Sequence, residues 1–241
     1  MKPEGDDFNH EPSAVADRYE RRAHIGAWRY DPLNPAVYMG AQERERALIR
    51  LLQKARLPPL ADRTLIEIGC GNGANLLDLV RLGFSPRNLV GNELLPDRLA
   101  TARERLPSSI RLLPGDALAL DVVDESFDVV LQSTVFTSIL DGEFQARLAR
   151  RMWAWVKPGG GVIWYDFAYD NPVNRDVRGV PQKRVRELFP DGIARCAWVT
   201  LAPPISRLVT RVHPALYSVF NALPFLRTHR LCWIGKRPAA R

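Results

Sequence analysis

The sequence predicts an α/β protein built on a mainly parallel sheet with helices on both faces. Three observations carry this. The stretch Leu65-Ile66-Glu67-Ile68-Gly69-Cys70-Gly71-Asn72-Gly73-Ala74-Asn75-Leu76 is an apolar run with an acid, then alternate glycines, then the start of an amphipathic helix. From Thr64 onward, short β-prone runs alternate with helical periodicity, the rhythm of parallel strands joined by crossover helices. The second such run ends in a carboxylate, Glu93, shortly after the glycine turn and its helix.

Residues 1–41 read as irregular, rich in proline and aromatics, including Tyr19, Trp28, Tyr30 and Tyr38. Charged and apolar residues alternate at helical spacing over 42–56 until Pro58-Pro59 stops them. The chain therefore divides into an N-terminal extension and helix over 1–60, a candidate lid, and a main domain over 61–241. Within that domain a strand at 64–68 leads to a helix at 74–82, closed by Gly83. Strand 89–92 precedes helix 96–106; short strands follow at 110–113 and 127–132. A helix over 143–155, the turn Lys157-Pro158-Gly159-Gly160-Gly161 and a strand at 162–167 come next. A helix near 182–189 and strands near 195–200 and 230–236 complete the reading, with no internal repeat.

At 241 residues and 46% apolar composition, the chain can bury a sizeable core. Three cysteines, Cys70, Cys196 and Cys232, are widely spaced and form no CxxC pair. That argues against a disulfide framework or zinc site and for a reducing, cytoplasmic compartment. No apolar run approaches the ~20 residues of a membrane span. The net charge of +7 would suit an anionic partner, but the arginines are scattered rather than gathered into blocks, which disfavours a nucleic-acid footprint.

In such sheets a ligand sits beyond the carboxyl ends of the strands, where the strand order reverses. Glycines let the backbone approach it, and the helix start offers unpaired N–H groups. Glu93 can accept both hydroxyls of a ribose. Gly69-x-Gly71-x-x-Ala74 also satisfies a dinucleotide fingerprint, so a nicotinamide cofactor stays open on the turn alone. Glu67, however, suits a cationic ammonium better than a pyrophosphate. Gly115-Asp116-Ala117 places an acid and a backbone N–H where an adenine edge could be read.

Together with Ser126-Phe127-Asp128-Val129-Val130 and Lys157-Pro158-Gly159-Gly160, these residues resemble the class I S-adenosylmethionine-dependent methyltransferases over about 64–236. The resemblance implies a Rossmann-like, seven-stranded sheet whose last strand is antiparallel, with S-adenosylmethionine as cofactor. By it, Glu67, Gly69, Cys70, Gly71 and Gly73 would hold the methionine end, Glu93 and Leu94 the ribose, and Asp116 and Ala117 the adenine. Gln132 would line the site beside the sulfonium. No metal ligand set is expected.

The acceptor side is less explicit. Fourth-strand Gln132-Ser133-Thr134-Val135-Phe136 lacks the Asn/Asp-Pro-Pro-aromatic pattern of amino-group methylation. Trp164-Tyr165-Asp166-Phe167-Ala168-Tyr169-Asp170-Asn171-Pro172 leaves the fifth strand and should rim the acceptor pocket. Asp166 is the candidate general base, with Tyr165 and Asp170 behind it; the competing reading makes Asp166 a strand-end carboxylate bonded to loop N–H groups. The segment near 203–228 reads as a cap over that pocket, or as a basic-flanked face contacting a membrane surface. A bacterial subgroup of the family is similar along the whole chain and points to O-methylation of a small metabolite or a sugar- or glycan-linked acceptor. An RNA methyltransferase and a non-catalytic S-adenosylmethionine-binding module are the alternatives.

Overall fold

The computed structural model describes residues 10–22, 28, 31–171 and 174–239. Seven strands form one sheet in the order β3-β2-β1-β4-β5-β7-β6. They are β1 (Leu65–Ile68), β2 (Leu89–Glu93), β3 (Arg111–Pro114), β4 (Phe127–Ser133), β5 (Val156–Phe167), β6 (Ile193–Leu201) and β7 (Arg227–Gly235). Pairings from β3 through β5 are parallel, and β7 runs antiparallel between β5 and β6. The strand order reverses between β1 and β4, so the crevice lies beyond their carboxyl ends.

The helices are α1 (His10–Arg22), α2 (Pro35–Lys54), α3 (Ala74–Arg81), α4 (Pro96–Arg105), α5 (Gly142–Trp155), α6 (Gln182–Leu188), α7 (Pro203–Val212) and α8 (Leu216–Asn221). Both faces of the sheet are covered, which is why β1 and β2 are buried along their whole length rather than alternating. Ile66, Val130 and Trp164 point into one core layer with Met152 and Trp155 of α5. Leu65, Val129 and Ile163 point into the other, with Leu76 and Leu79 of α3 and Leu52 of α2.

Four expectations are corrected. The segment 1–41 is not irregular throughout, since α1 and the opening turns of α2 fall within it. Asn34 caps α2 by accepting from the Ala36 N–H at 3.0 Å, with Pro35 at the first helical position. The Lys157–Gly161 stretch is part of β5 rather than a turn before it, and the backbone packs so closely that a Cβ on Gly160 would lie 2.5 Å from the Asp128 carbonyl oxygen. The cap is two short helices, α7 and α8, interrupted at Pro214, which cannot continue a helix. Finally, Cys196 and Cys232 stand directly opposite in the β6–β7 register and form a disulfide. They are 36 residues apart in sequence, and only the antiparallel pairing brings them together. Cys70 remains a free, buried thiol. Among the described residues no helix is long and apolar enough to cross a membrane.

Candidate active site

The turn after β1 is conformationally demanding. Gly69, Gly71 and Gly73 all have positive φ, at 65°, 58° and 82°. A Cβ on Gly69 would come within 2.6 Å of Val135, and one on Gly73 within 2.7 Å of Leu106, so two of the three are also required by space. Above this turn, Glu67 is fully buried. Its Oε1 accepts from Asn75 Nδ2 at 2.6 Å, while Oε2 is buried with no hydrogen-bond partner. Burial pushes this carboxyl up to about 8. An orphaned carboxylate oxygen is costly unless a donor arrives, and the ammonium of S-adenosylmethionine supplies the matching charge.

At the end of β2, Glu93 accepts the Gly71 N–H on Oε2 at 2.7 Å and the Leu95 N–H on Oε1 at 2.8 Å. It clamps the glycine turn to the next strand while edging a cleft of about 750 Å³. Asn92 donates to the carbonyls of Leu113 and Gly115, drawing the turn after β3 to the same cleft. There Asp116 caps a 3₁₀ turn by accepting the Leu118 N–H at 3.0 Å. Gly69, Glu93, Leu94, Asp116 and Ala117 line the cleft. Gly71 and Gly73 shape it from behind. Cys70 packs its sulfur against the position of Gly91 and faces no cavity, with burial pushing its thiol up.

Helix α1 forms the cleft's outer wall through Pro12, Val15 and Tyr19. It is fastened by Glu11, which accepts from Arg18 at 2.8 Å and from the Leu140 N–H at 2.7 Å. Arg18 also donates to the Ser138 carbonyl at 2.9 Å. The Arg98 guanidinium lies 4.2 Å from the Tyr19 ring centroid, closing the wall toward α4. Of the aromatics in 1–41, Tyr19 lies on α1 at this wall and Trp28 lines another cavity, while Tyr30 falls outside the described residues.

Gln132 requires correction. It is fully buried, accepts the Val135 N–H at 3.1 Å and donates to the Tyr165 carbonyl at 3.5 Å. Its amide is consumed in shaping the loop after β4, and Ser133, Thr134 and Val135 line the cleft instead.

Ser133 also lines a second cavity with Ala41, Arg44, Asn75 and Tyr165. Ala41, Arg44 and Tyr165 in turn line a third, of about 880 Å³, completed by Thr200, Leu201 and the cap residues Ser206, Arg207 and Tyr217. The three cavities share walls and run from the cofactor cleft to the cap. Tyr165 sits at their centre. Its carbonyl accepts the Thr134 N–H and its hydroxyl pairs with Thr200 Oγ1, each at 2.8 Å. Thr134 and Thr200 have φ of 58° and 65°, a left-handed conformation that costs a β-branched residue on the order of 1–3 kcal/mol. Both strained residues grip the same tyrosine. His229 stacks on its ring at 5.0 Å, and burial, then the Arg44 charge, push that imidazole down to about 4, leaving it neutral near pH 7.

The other two catalytic candidates are also corrected. Asp166 is fully buried and lines none of these cavities. Its carboxylate accepts the N–H groups of Thr137 and Phe167 at 3.2 and 3.1 Å, so it ties the loop after β4 to β5. Burial pushes it up to about 7, but a base must reach its proton before its acidity matters. Asp170 is exposed and accepts the Gly179 N–H at 2.8 Å, closing its own loop. Arg44, Ser133, Thr200 and Tyr217 are not among the site residues expected from sequence. Arg44 is part of a helical run in which charged and apolar residues alternate, and no sequence signal marks a threonine for positive φ. Among the described residues no group of three or more His, Cys, Asp or Glu could hold a metal ion.

Residues 65–160 match the methyltransferase domain family. The chain is 32% identical over 149 residues to a trans-aconitate 2-methyltransferase of Variovorax paradoxus, covering 61% of this chain and 55% of that protein. It is 30% identical over 143 residues to a demethylmenaquinone methyltransferase of Deinococcus radiodurans, covering 58% of this chain and 56% of that protein. The chain thus spans little more than half the length of these relatives. An S-adenosylmethionine-dependent methyltransferase from Mesorhizobium loti shares the fold at a TM-score of 0.55 and 18% identity, over 76% of this chain and 95% of that one. With the β1 acid, the glycine turn and the antiparallel β7 in place, residues 65–160 carry a methyltransferase domain of the class I, S-adenosylmethionine-dependent kind.

Proposed function

We propose that this chain methylates an oxygen of a small molecule held between α2, the carboxyl end of β5 and the α7–α8 cap. The observation that carries this reading is the shared wall at Ser133, where the cofactor cleft meets the cavities reaching the cap. When bound, S-adenosylmethionine supplies a methyl group on a positively charged sulfur. Glu67 answers its ammonium, Glu93 its ribose, and the Asp116–Ala117 turn its adenine. Helix α1 covers the cleft and excludes water, while Tyr165, braced by Thr134 and Thr200, sets the floor on which the acceptor is oriented. The names of the relatives, an aconitate and a quinone methyltransferase, support a small molecule as acceptor. A sugar- or glycan-linked acceptor is compatible with a cavity of this size.

Parallel calorimetric titrations with S-adenosylmethionine, S-adenosylhomocysteine and NADH test the reading. Binding of the two sulfur ligands alone is expected. Binding of NADH in their place would overturn it.

A further inference from the structure

The cavity under the cap has an unusual charge balance. Two guanidinium groups line it, Arg44 from α2 and Arg207 from α7, and among the described residues no aspartate or glutamate does. Both arginines are half-buried, and neither makes an ion pair or hydrogen bond with a described residue. Of the other arginines that reach inward, Arg18 is answered by Glu11, Arg63 by Asp128 and Arg227 by the carbonyls of Asn221 and Trp198, while Arg230 lies over the Trp198 ring with its buried Nε unpartnered. Arg44 instead lies 5.3 Å from the Tyr165 ring centroid and lines both acceptor-side cavities. The remaining polar groups around it, including the hydroxyls of Tyr165, Thr200, Ser206 and Tyr217, are neutral. Trp28, Val37 and Leu201 add an apolar wall.

Among the described residues, none that lines these cavities is a free base; Glu43 accepts the Thr200 N–H at 3.0 Å from outside the lining. Asp166 and Asp170 do not line them, and His229 stands behind the Tyr165 ring. Glu45 and Asp78 reach the neighbouring cavity but are paired with Arg81. A neutral alcohol would need its proton removed there. A carboxylate would not, and its charge is what two unpaired guanidinium groups select.

We propose that the acceptor is a small organic acid, seated with a carboxylate toward Arg44 and Arg207 and methylated on a carboxylate oxygen. This deepens the function proposed above and rests on it. An oxygen lone pair forms the new C–O bond as the methyl–sulfur bond breaks, and the bonding pair stays on sulfur. A methyl ester and a neutral thioether result; the two opposite charges cancel and no proton moves. Arg44 positions the acid at the junction between the cavities.

Protein loaded with S-adenosylhomocysteine is titrated by calorimetry with a panel of benzoate, succinate, citrate and phenylacetate, with the corresponding amides, and with phenyl phosphate. Binding of at least one carboxylate, no binding of its amide, and at least a tenfold loss in Arg44→Gln are expected. Arg44→Lys should restore part of the affinity. With methyl-labelled S-adenosylmethionine, the product of a bound acid should release labelled methanol in alkali, as esters do. A panel in which no carboxylate binds, in which amides or phenyl phosphate bind as well as acids, or in which the product resists alkali overturns the proposal. S-adenosylhomocysteine affinity is measured for each protein. If wild type fails to bind it, the methyltransferase reading itself fails; if it binds but the acids do not, only the acceptor class does.

Discussion

Glu67 shows how one buried atom reports a missing partner. Its Oε2 has no donor and burial holds the carboxyl up to about 8, so most of it is protonated at pH 7 in the unliganded protein. Arrival of an ammonium favours the ionised form, so binding of S-adenosylmethionine should release a proton. Calorimetric enthalpies at pH 7 are expected to vary with the ionisation enthalpy of the buffer. Glu67→Gln should abolish that variation and weaken binding by on the order of 1–3 kcal/mol. Unchanged affinity would remove the ammonium assignment. Asp166 carries the opposite lesson, since an acidity near 7 in a sealed position serves architecture. A carboxyl raised in the folded state contributes stability below its ordinary range near 4, and that contribution is lost as pH rises through about 7. Asp166→Asn is expected to flatten the loss of stability between pH 5 and 8 in denaturant titrations while leaving S-adenosylmethionine affinity unchanged. A turnover–pH profile that loses its acidic limb with no change in stability would return Asp166 to catalysis.

Helix α1 is polar, and its own propensity does not account for its place in the fold. It is held by Glu11 and Arg18, both buried, which join it to the loop between β4 and α5. Removing one member of a buried pair leaves the other charge uncompensated, at a cost of about 3–5 kcal/mol. Arg18→Ala is therefore expected to release α1 and weaken S-adenosylmethionine binding at least tenfold, with faster proteolysis near residue 20. Full affinity with α1 cleaved would show that the helix is no part of the cleft. The start of β4 shows a charge cluster of another kind. Burial opposes the ionised form of Asp128, but it is outweighed by the Thr64 N–H and hydroxyl and by Lys157, so the carboxyl is held down to about 2. The stability it contributes is present above about pH 4 and lost as pH falls through 2. Asp128→Asn should lower the melting temperature at pH 7 and narrow the difference between pH 7 and pH 2.5. An equal deficit at both values would exclude the ionic contribution.

Taken as a single sheet, the molecule places its cofactor half and its acceptor half on different strands. β1, β2, β3 and β4 build the first; β5, β6, α2 and the cap build the second. The Cys196–Cys232 disulfide joins β6 to β7 and closes a loop of 36 residues, worth about 2–4 kcal/mol in a chain-entropy account. Reduction should lower the melting temperature by several degrees and leave S-adenosylmethionine affinity intact, because the cofactor half lies on other strands. A melting temperature unmoved by reductant would deny the bond any stabilising role.

The cofactor half was legible in one dimension because its chemistry is local. Glu67, the glycines and Asp116 lie on strand ends and turns where backbone geometry dictates residue type, so spacing alone announces them. Glu93 also needs only one crossover to reach the glycine turn. The acceptor half is non-local. Arg44, Ser133, Tyr165, Thr200 and Arg207 come from five separate elements or loops and share no spacing that a linear pattern can carry. The order of residues does not rank Tyr165 above Asp166, because neighbours on a strand point to opposite faces, and which face meets the cavity depends on what packs against the sheet. Cys196 met Cys232 only through strand register, and Gln132 gave up its amide to a loop whose path depends on Thr134. Local backbone demands wrote the nucleotide-binding turn into the order of residues; packing between distant elements chose which side chains face the acceptor.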